Sequence, residues 1–209
     1  MIDALREAEA ARDADRDADA ARDRAEQART RLLAVLKRYP ALSLDLVAEM
    51  DRLNEPRVVR QLGQTLRFVR SDALVAELRR RVSDGHRAAD RQAALLALEA
   101  RPWASWNDVA AAAYRSDDDP AVRTTASAVL GRALLDRRFL AERARLRTTI
   151  VGGLKSSDPV DRSRALNALL HDRFGAGASV EFARPFLRDA DPDVRAAAQR
   201  VVRLLERKS

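Results

Sequence analysis

A short motif, Asp-Pro followed three residues later by Arg, recurs along the second half of the chain and constrains its fold most strongly. The three copies are Asp119-Pro120 before Arg123, Asp158-Pro159 before Arg162, and Asp191-Pro192 before Arg195. Aspartate is a favoured helix N-cap, and proline suits the first helical position, where its missing N–H costs nothing. Apolar residues then follow at three- and four-residue spacing, so each copy predicts the start of an amphipathic helix.

The motif belongs to a longer repeat. If the arginine is the anchor of each copy, weaker copies of the pattern precede it at Arg91 and, with valine in place of arginine, at Val59. The anchors at 59, 91, 123, 162 and 195 are then 32, 32, 39 and 33 residues apart. A near-constant period in this range is typical of a solenoid, in which each repeat buries its apolar side against the next.

Asp-Pro-x-Val-Arg-x-x-Ala resembles the HEAT-repeat family, and within it the short HEAT-like repeats of the phycobilisome-lyase type. The resemblance covers residues 41–208 and implies that an Asp/Arg ladder links adjacent repeats and that the second helix of each pair lines a concave face. Three positions depart from the pattern: Val59, Arg87-Ala88 in place of Asp-Pro, and Asp161 before Arg162. The family resemblance also implies a possible role, namely assisting the attachment of a cofactor to another protein.

Residues 1–38 contain no glycine or proline and predict one long helix. Alanine, with Leu32 and Val35 at the end, recurs in two rows at seven-residue spacing and gives a coiled-coil pattern, which we call the alanine seam. The seam is formed by Ala4, Ala11, Ala18, Ala25 and Leu32 in one row and Glu7, Ala14, Ala21, Ala28 and Val35 in the other. Three alternatives remain open for this helix: pairing with its copy in a homodimer, folding back on the first repeat, or standing alone.

The chain carries a net charge of +7. Residues 1–30 are acidic, so the surplus lies on the repeats, and all but three of the basic residues are arginine. This composition fits either a general arginine bias or a nucleic-acid surface. If nucleic acid binds, the densest basic patches should contact it: Arg79, Arg80, Arg81, Arg137, Arg138, Arg143, Arg145 and Arg147.

The concave face is the first candidate for a binding surface. We expect solvent-facing side chains four, five, eight and nine residues after each anchor. The polar members of this set are Gln64, Arg67, Arg132, Asn167, His171, Gln199 and Arg203. Their mixture with apolar neighbours favours a protein or peptide partner over nucleic acid, which would require a basic residue in most repeats.

No catalytic, cofactor-binding or metal-binding set emerges from the sequence. The chain has no cysteine and two histidines, whereas zinc ordinarily needs three or four such ligands. One enzymatic alternative remains, because certain alkylpurine DNA glycosylases are built from HEAT-like repeats and use tryptophans and an aspartate. Trp103, Trp106 and Asp108 form the one local group of that kind.

These patterns predict an all-α, right-handed α-solenoid of five helix pairs (41–208) behind a long charged helix (1–38). We expect a cytoplasmic protein without a signal segment or membrane span. Its function is interpreted as that of a non-enzymatic scaffold or adaptor that binds another protein or peptide. Nucleic-acid binding and base-excision catalysis are the alternatives.

Overall fold

The computed structural model describes residues 19–20, 23–24, 26–53, 55–84 and 86–206, and within these ranges it contains helices and no strand. Helix α1 comprises residues 26–38, and residues 19, 20, 23 and 24 are also helical. The other helices are α2 (Leu42–Met50), α3 (Pro56–Leu66), α4 (Asp72–Ser83), α5 (Ala88–Leu98), α6 (Asn107–Ser116), α7 (Pro120–Leu135), α8 (Arg143–Gly152), α9 (Pro159–Leu169), α10 (Ala176–Ala183) and α11 (Pro192–Glu206).

The helices after α1 form five antiparallel pairs that stack in chain order. The second helices α3, α5, α7, α9 and α11 each pack on the next and form a continuous row, whereas contacts between successive first helices are sparser. The core runs along this row, with side chains such as Leu66, Leu98, Leu130 and Leu169 fully buried. The prediction of an all-α solenoid of five helix pairs is therefore confirmed.

The aspartate of each Asp-Pro motif caps its helix. Asp119 Oδ1 accepts hydrogen bonds from the backbone N–H groups of Ala121 (2.7 Å) and Val122 (3.3 Å). Asp158 and Asp191 bond to the first turns of α9 and α11 in the same way. These bonds satisfy amides that have no partner within the helix, which explains why the second helices begin where the motif occurs.

Ion pairs between the anchor arginines and acids of the following repeat link the pairs. Arg162 donates to both carboxylate oxygens of Asp189, at 2.9 and 2.8 Å. Arg123 contacts Asp161 instead, at 3.3 Å, because Ser156 occupies the turn position that Asp189 holds in the last repeat. The departure at Asp161 thus supplies the carboxylate that the turn lacks.

The first two repeats are joined differently, because the anchor position of the first repeat is Val59, which is buried in the core and cannot form an ion pair. Arg81 donates to both oxygens of Asp51, at 2.7 and 2.8 Å. Arg87 donates to the backbone carbonyls of Met50 and Leu53. Arginines in and after α4 therefore replace the missing anchor at this junction.

The second helices approach closely where their sequence has glycine. A Cβ atom on Gly63 of α3 would lie 2.4 Å from the carbonyl oxygen of Ala93 in α5. A Cβ on Gly131 of α7 would lie 3.0 Å from the His171 ring and 3.2 Å from the Ala168 backbone. These contacts set how far each repeat is displaced from the last.

The end of helix α1 lies on the first repeat. Leu36 is 1% exposed, and Leu32 packs against the same core. Ala28 and Leu32 of the alanine seam border a groove whose opposite side includes Val58 and Leu62 of α3. This part of the seam therefore faces the solenoid. The predicted seam positions 4–18, 21 and 25 lie outside the described residues, and pairing of the helix with its copy stays a prediction.

Candidate partner-binding surface

The stacking of the second helices decides which of their side chains reach solvent. The position four residues after the anchor is buried in the first four repeats, at Gly63, Leu95, Ser127 and Leu166, because it contacts the neighbouring helix. Gln199 occupies the same position in α11, the last of the described helices, and is exposed. The expectation that this position faces solvent throughout was wrong.

The side chains that do reach solvent in every repeat lie five and nine residues after each anchor and form a row. We call it the inner row, and it consists of Gln64, Phe68, Leu96, Ala100, Ala128, Arg132, Asn167, His171, Arg200 and Leu204. All ten are at least partly exposed, and Phe68 and Leu204 are 46% and 42% exposed. The row contains five apolar and five polar or basic side chains, and no acid.

The predicted partner residues divide between this row and its borders. Gln64, Arg132, Asn167 and His171 lie in the inner row. Arg67 is half-buried beside it, and its guanidinium lies 5.5 Å from the centroid of the Phe68 ring. Gln199 and Arg203 are exposed on α11, where they border a shallow depression together with Arg200 of the inner row.

Arg132 and His171 form the polar centre of the inner row. Arg132 donates to both carboxylate oxygens of the buried Glu99, at 2.6 and 2.9 Å, so its guanidinium is held in one orientation. His171 packs against Gly131 of α7. Burial, together with the charges of Arg132 and Arg173, lowers the pKa of His171 below its usual value of 6.5. The imidazole is therefore neutral at pH 7 and can accept as well as donate a hydrogen bond.

Most of the arginines in the basic patches already have partners within the chain. Arg79 pairs with Asp108, Arg80 and Arg81 with Glu77, Arg138 with Asp136, and Arg147 with Asp172. Arg143 is buried, donates to the Leu134 carbonyl and lies over the Phe174 ring. Arg137 and Arg145 are exposed and form no ion pair with the described residues. Nucleic-acid binding through this set stays a prediction. It would depend mainly on the guanidinium groups of Arg137 and Arg145.

The tryptophans and Asp108 have separate roles in the fold. Trp106 is fully buried, and its Nε1–H donates to the Arg101 carbonyl at 3.2 Å. The Asp108 carboxylate accepts two hydrogen bonds from Arg79, at 2.8 and 2.7 Å, which lowers its pKa. The structure therefore does not join Trp106 and Asp108 in an open groove, as a glycosylase site would require.

One group of possible metal ligands was not foreseen from the sequence. Asp51, His86 and Asp90 each bring a ligand atom within 4.8 Å of the others. However, Arg81 and Arg87 donate hydrogen bonds to the two carboxylates, and this local positive charge disfavours a cation. We interpret the group as part of the link between the first two repeats.

None of the helices in the described part of the chain is both long and apolar enough to span a membrane.

Comparison with known proteins identifies the fold. The sequence matches no family model and no curated protein. Among solved structures, it is similar to a chain in the complex of CpcE and CpcF of phycocyanin lyase from Nostoc sp. PCC7120. The similarity has a TM-score of 0.61 at 20% sequence identity and covers 77% of this chain and 98% of that chain. At this identity the likeness supports a shared helical-repeat fold.

The same finding corrects the interpretation of the chain as a non-enzymatic protein. That interpretation depended on the fold class together with the lack of a catalytic motif. A lyase complex contains a chain with the same helical-repeat fold, so these two features do not argue against enzymatic activity. The non-enzymatic assignment is therefore withdrawn.

Proposed function

We propose that the chain is a helical-repeat protein that binds a partner protein along the inner row and acts on it. One observation carries the proposal: the inner row is a continuous, partly exposed surface of mixed apolar and basic character, without an acid. Aromatic and arginine side chains such as Phe68 and Arg132 are the types enriched at the centres of protein interfaces.

The charge of this surface suggests the character of the partner. Arg200 is exposed along the row and Arg67 borders it, while the exposed Arg132 is already paired with Glu99. Phe68 and Leu204 offer exposed apolar side chains near its two ends. A segment that carries both apolar and acidic side chains would complement this row.

The likeness to a phycocyanin lyase complex suggests what the chain does after binding. The lyase structure is a complex of two proteins, CpcE and CpcF. By analogy, we propose that this chain assists a change to its protein partner, such as the attachment of a cofactor. The chain would hold the partner in one orientation while the reacting group is brought to it.

Site-specific photo-crosslinking tests this proposal in the native extract. A photoreactive phenylalanine analogue replaces Ala128 in the inner row or, as the matched control, the exposed Ala112 of the first helix α6 in the same repeat. We expect crosslinking of a protein from position 128 and little or none from position 112. Equal crosslinking from both positions, or crosslinks to nucleic acid alone, would contradict the proposed surface.

A further inference from the structure

A cleft of about 760 Å³ opens beside the ends of α3, α5 and α7 and meets the inner row at Ala100. Its border includes Arg70, Arg101, Trp103, Arg138, Phe139 and Glu142. We call it the Trp103 cleft. Its volume lies within the range of about 300–1,000 Å³ that is typical of small-molecule sites.

Trp103 and Phe139 form the apolar wall of the cleft, and the buried Trp106 packs against both. Trp103 and Trp106 meet edge to face with ring centroids 4.8 Å apart, and Phe139 lies 5.9 Å from Trp103 and 5.8 Å from Trp106. Trp106 and Phe139 are buried, while the Trp103 ring is partly exposed. Because its neighbours are fixed in the core, the Trp103 ring is held as a rigid surface for a flat or aliphatic group.

Arg101 places a buried positive charge beside this wall. The residue is 6% exposed, and its Nη2 donates to the Leu66 carbonyl at 3.0 Å. No acid of the described residues pairs with it, and burial together with the charge of Arg70 lowers its pKa. Of the other buried arginines, Arg81 and Arg91 have carboxylate partners, whereas Arg143 donates to a backbone carbonyl and lies over the Phe174 ring. A buried guanidinium without a counter-ion is costly, and an anionic ligand would remove that cost.

Three buried polar groups around the cleft also lack a hydrogen-bond partner among the described residues. Two are donors, Arg101 Nε and Trp103 Nε1, which an anion can satisfy, whereas the third, Glu142 Oε2, is an acceptor and needs a donor that a carboxylate does not supply. Buried polar groups in folded proteins are nearly always satisfied, so a concentration of unpaired ones in one cleft points to a missing partner.

We propose that the Trp103 cleft binds a carboxylate attached to an aromatic or aliphatic body, with the carboxylate against Arg101 and the body against the Trp103 ring. A carboxylate accepts from the planar guanidinium in the bidentate geometry that arginine favours. The acid can be a free organic acid or the C-terminal carboxylate of a peptide, which share this chemistry. The inference does not depend on the proposed function of the inner row.

Intrinsic fluorescence provides the readout, since Trp103 and Trp106 are the two tryptophans of the chain, Trp103 lines the cleft and Trp106 contacts its ring. The probe is 3-phenylpropanoate, and its neutral control is 3-phenylpropan-1-ol. We expect a saturable change in tryptophan emission with the acid and a much weaker one with the alcohol. Equal responses to both, or no saturation below about 10 mM, would overturn the proposal.

Substitution of the arginines tests the position of the carboxylate. Arg101→Gln should weaken binding of 3-phenylpropanoate by about tenfold or more. Arg188→Gln, an exposed site in the last repeat, should change it by less than about twofold. If Arg101→Gln does not fold, the exposed Arg70→Gln decides the question, with an expected loss of about threefold. Unchanged binding in the folded variants would contradict the assignment.

A peptide arm distinguishes the two sources of the acid. Acetyl-alanyl-phenylalanine as the free acid is compared with its amide and with 3-phenylpropanoate. Tighter binding of the peptide acid than of 3-phenylpropanoate assigns the site to a peptide C-terminus, and the reverse order assigns it to a free acid. Equal binding of the peptide acid and its amide would contradict recognition of a carboxylate.

Discussion

Arg91 of the second repeat donates two hydrogen bonds to Asp117 of the third, from Nε at 3.0 Å and from Nη2 at 2.8 Å. Both side chains are more than nine-tenths buried. Asp117 Oδ1 also accepts from the Asp119 N–H at 2.9 Å, so the same carboxylate shapes the turn that opens α7. The Asp117 carboxylate therefore both links the second repeat to the third and shapes the turn at which the second helix of the third repeat begins.

Substitution of Arg91 should consequently destabilise the fold. Arg91→Met removes the partner of a buried carboxylate, and we expect a loss of about 2–4 kcal/mol in the free energy of unfolding. Urea denaturation followed by circular dichroism measures this. The control is Arg57→Met, an exposed site on α3, which should change stability by less than about 0.5 kcal/mol. Equal effects of the two substitutions would contradict the role given to the Arg91–Asp117 pair.

A methyl group at Gly63 should disturb the contact between α3 and α5. The added Cβ would lie 2.4 Å from the Ala93 carbonyl oxygen, and backbone atoms cannot move aside as a flexible side chain can. We expect Gly63→Ala to lower the free energy of unfolding by about 1–3 kcal/mol.

Gly152→Ala is the matched control for that substitution. A Cβ at Gly152, the last residue of α8, would meet no atom within 4 Å. Alanine should stabilise the helix there by about 0.5–1 kcal/mol, because it restricts the unfolded chain more than glycine does. Thermal unfolding of both variants gives the comparison, and a stabilised Gly63→Ala protein would disprove the close approach.

Helix α1 should contribute to the stability of the solenoid through Leu36. The side chain is 1% exposed, so Leu36→Ala should cost about 2–4 kcal/mol through lost burial and the cavity left behind. The neighbouring Val35 is 45% exposed, and Val35→Ala should have a small effect. Denaturation curves compare the two variants. A stable Leu36→Ala protein would show that α1 is dispensable for the fold.

The lowered pKa of His171 should make stability depend on pH. The folded protein disfavours the charged imidazole, whereas the unfolded chain takes up a proton near pH 6.5. Stability should therefore fall as the pH drops from about 7 through 6.5 and below. His171→Asn should reduce this dependence, which melting temperatures measured between about pH 7.5 and 5.5 can detect. If the melting temperature of the variant depended on pH as strongly as that of the parent protein, the burial of a neutral His171 would be contradicted.

The helix starts could be predicted from sequence because the signals are local. Asp158 and Pro159, for example, act on the turn that follows them directly. The positions of the second helices that reach solvent could not be predicted, because their exposure depends on how closely neighbouring helices approach. That distance is set by contacts such as Gly63 with Ala93, which lie 30 residues apart in sequence.

The Trp103 cleft also depends on distant contacts. Arg101 reaches the end of α3 at Leu66, and Phe139 comes from the segment that follows α7. Nothing in the local sequence marks Arg101 among the many arginines of the chain. Its missing counter-ion becomes visible only when the neighbouring side chains are placed in three dimensions.

Binding of a purified partner, once crosslinking has identified it, tests the central claim about the inner row most directly. The measurement is the dissociation constant, by calorimetry, for Ala128→Glu and Ala112→Glu, each verified as folded. An acid at position 128 would enter a row that has none, so we expect affinity to fall by about tenfold or more, against less than about twofold at position 112. Equal affinities of both variants and the parent protein would contradict binding along the inner row.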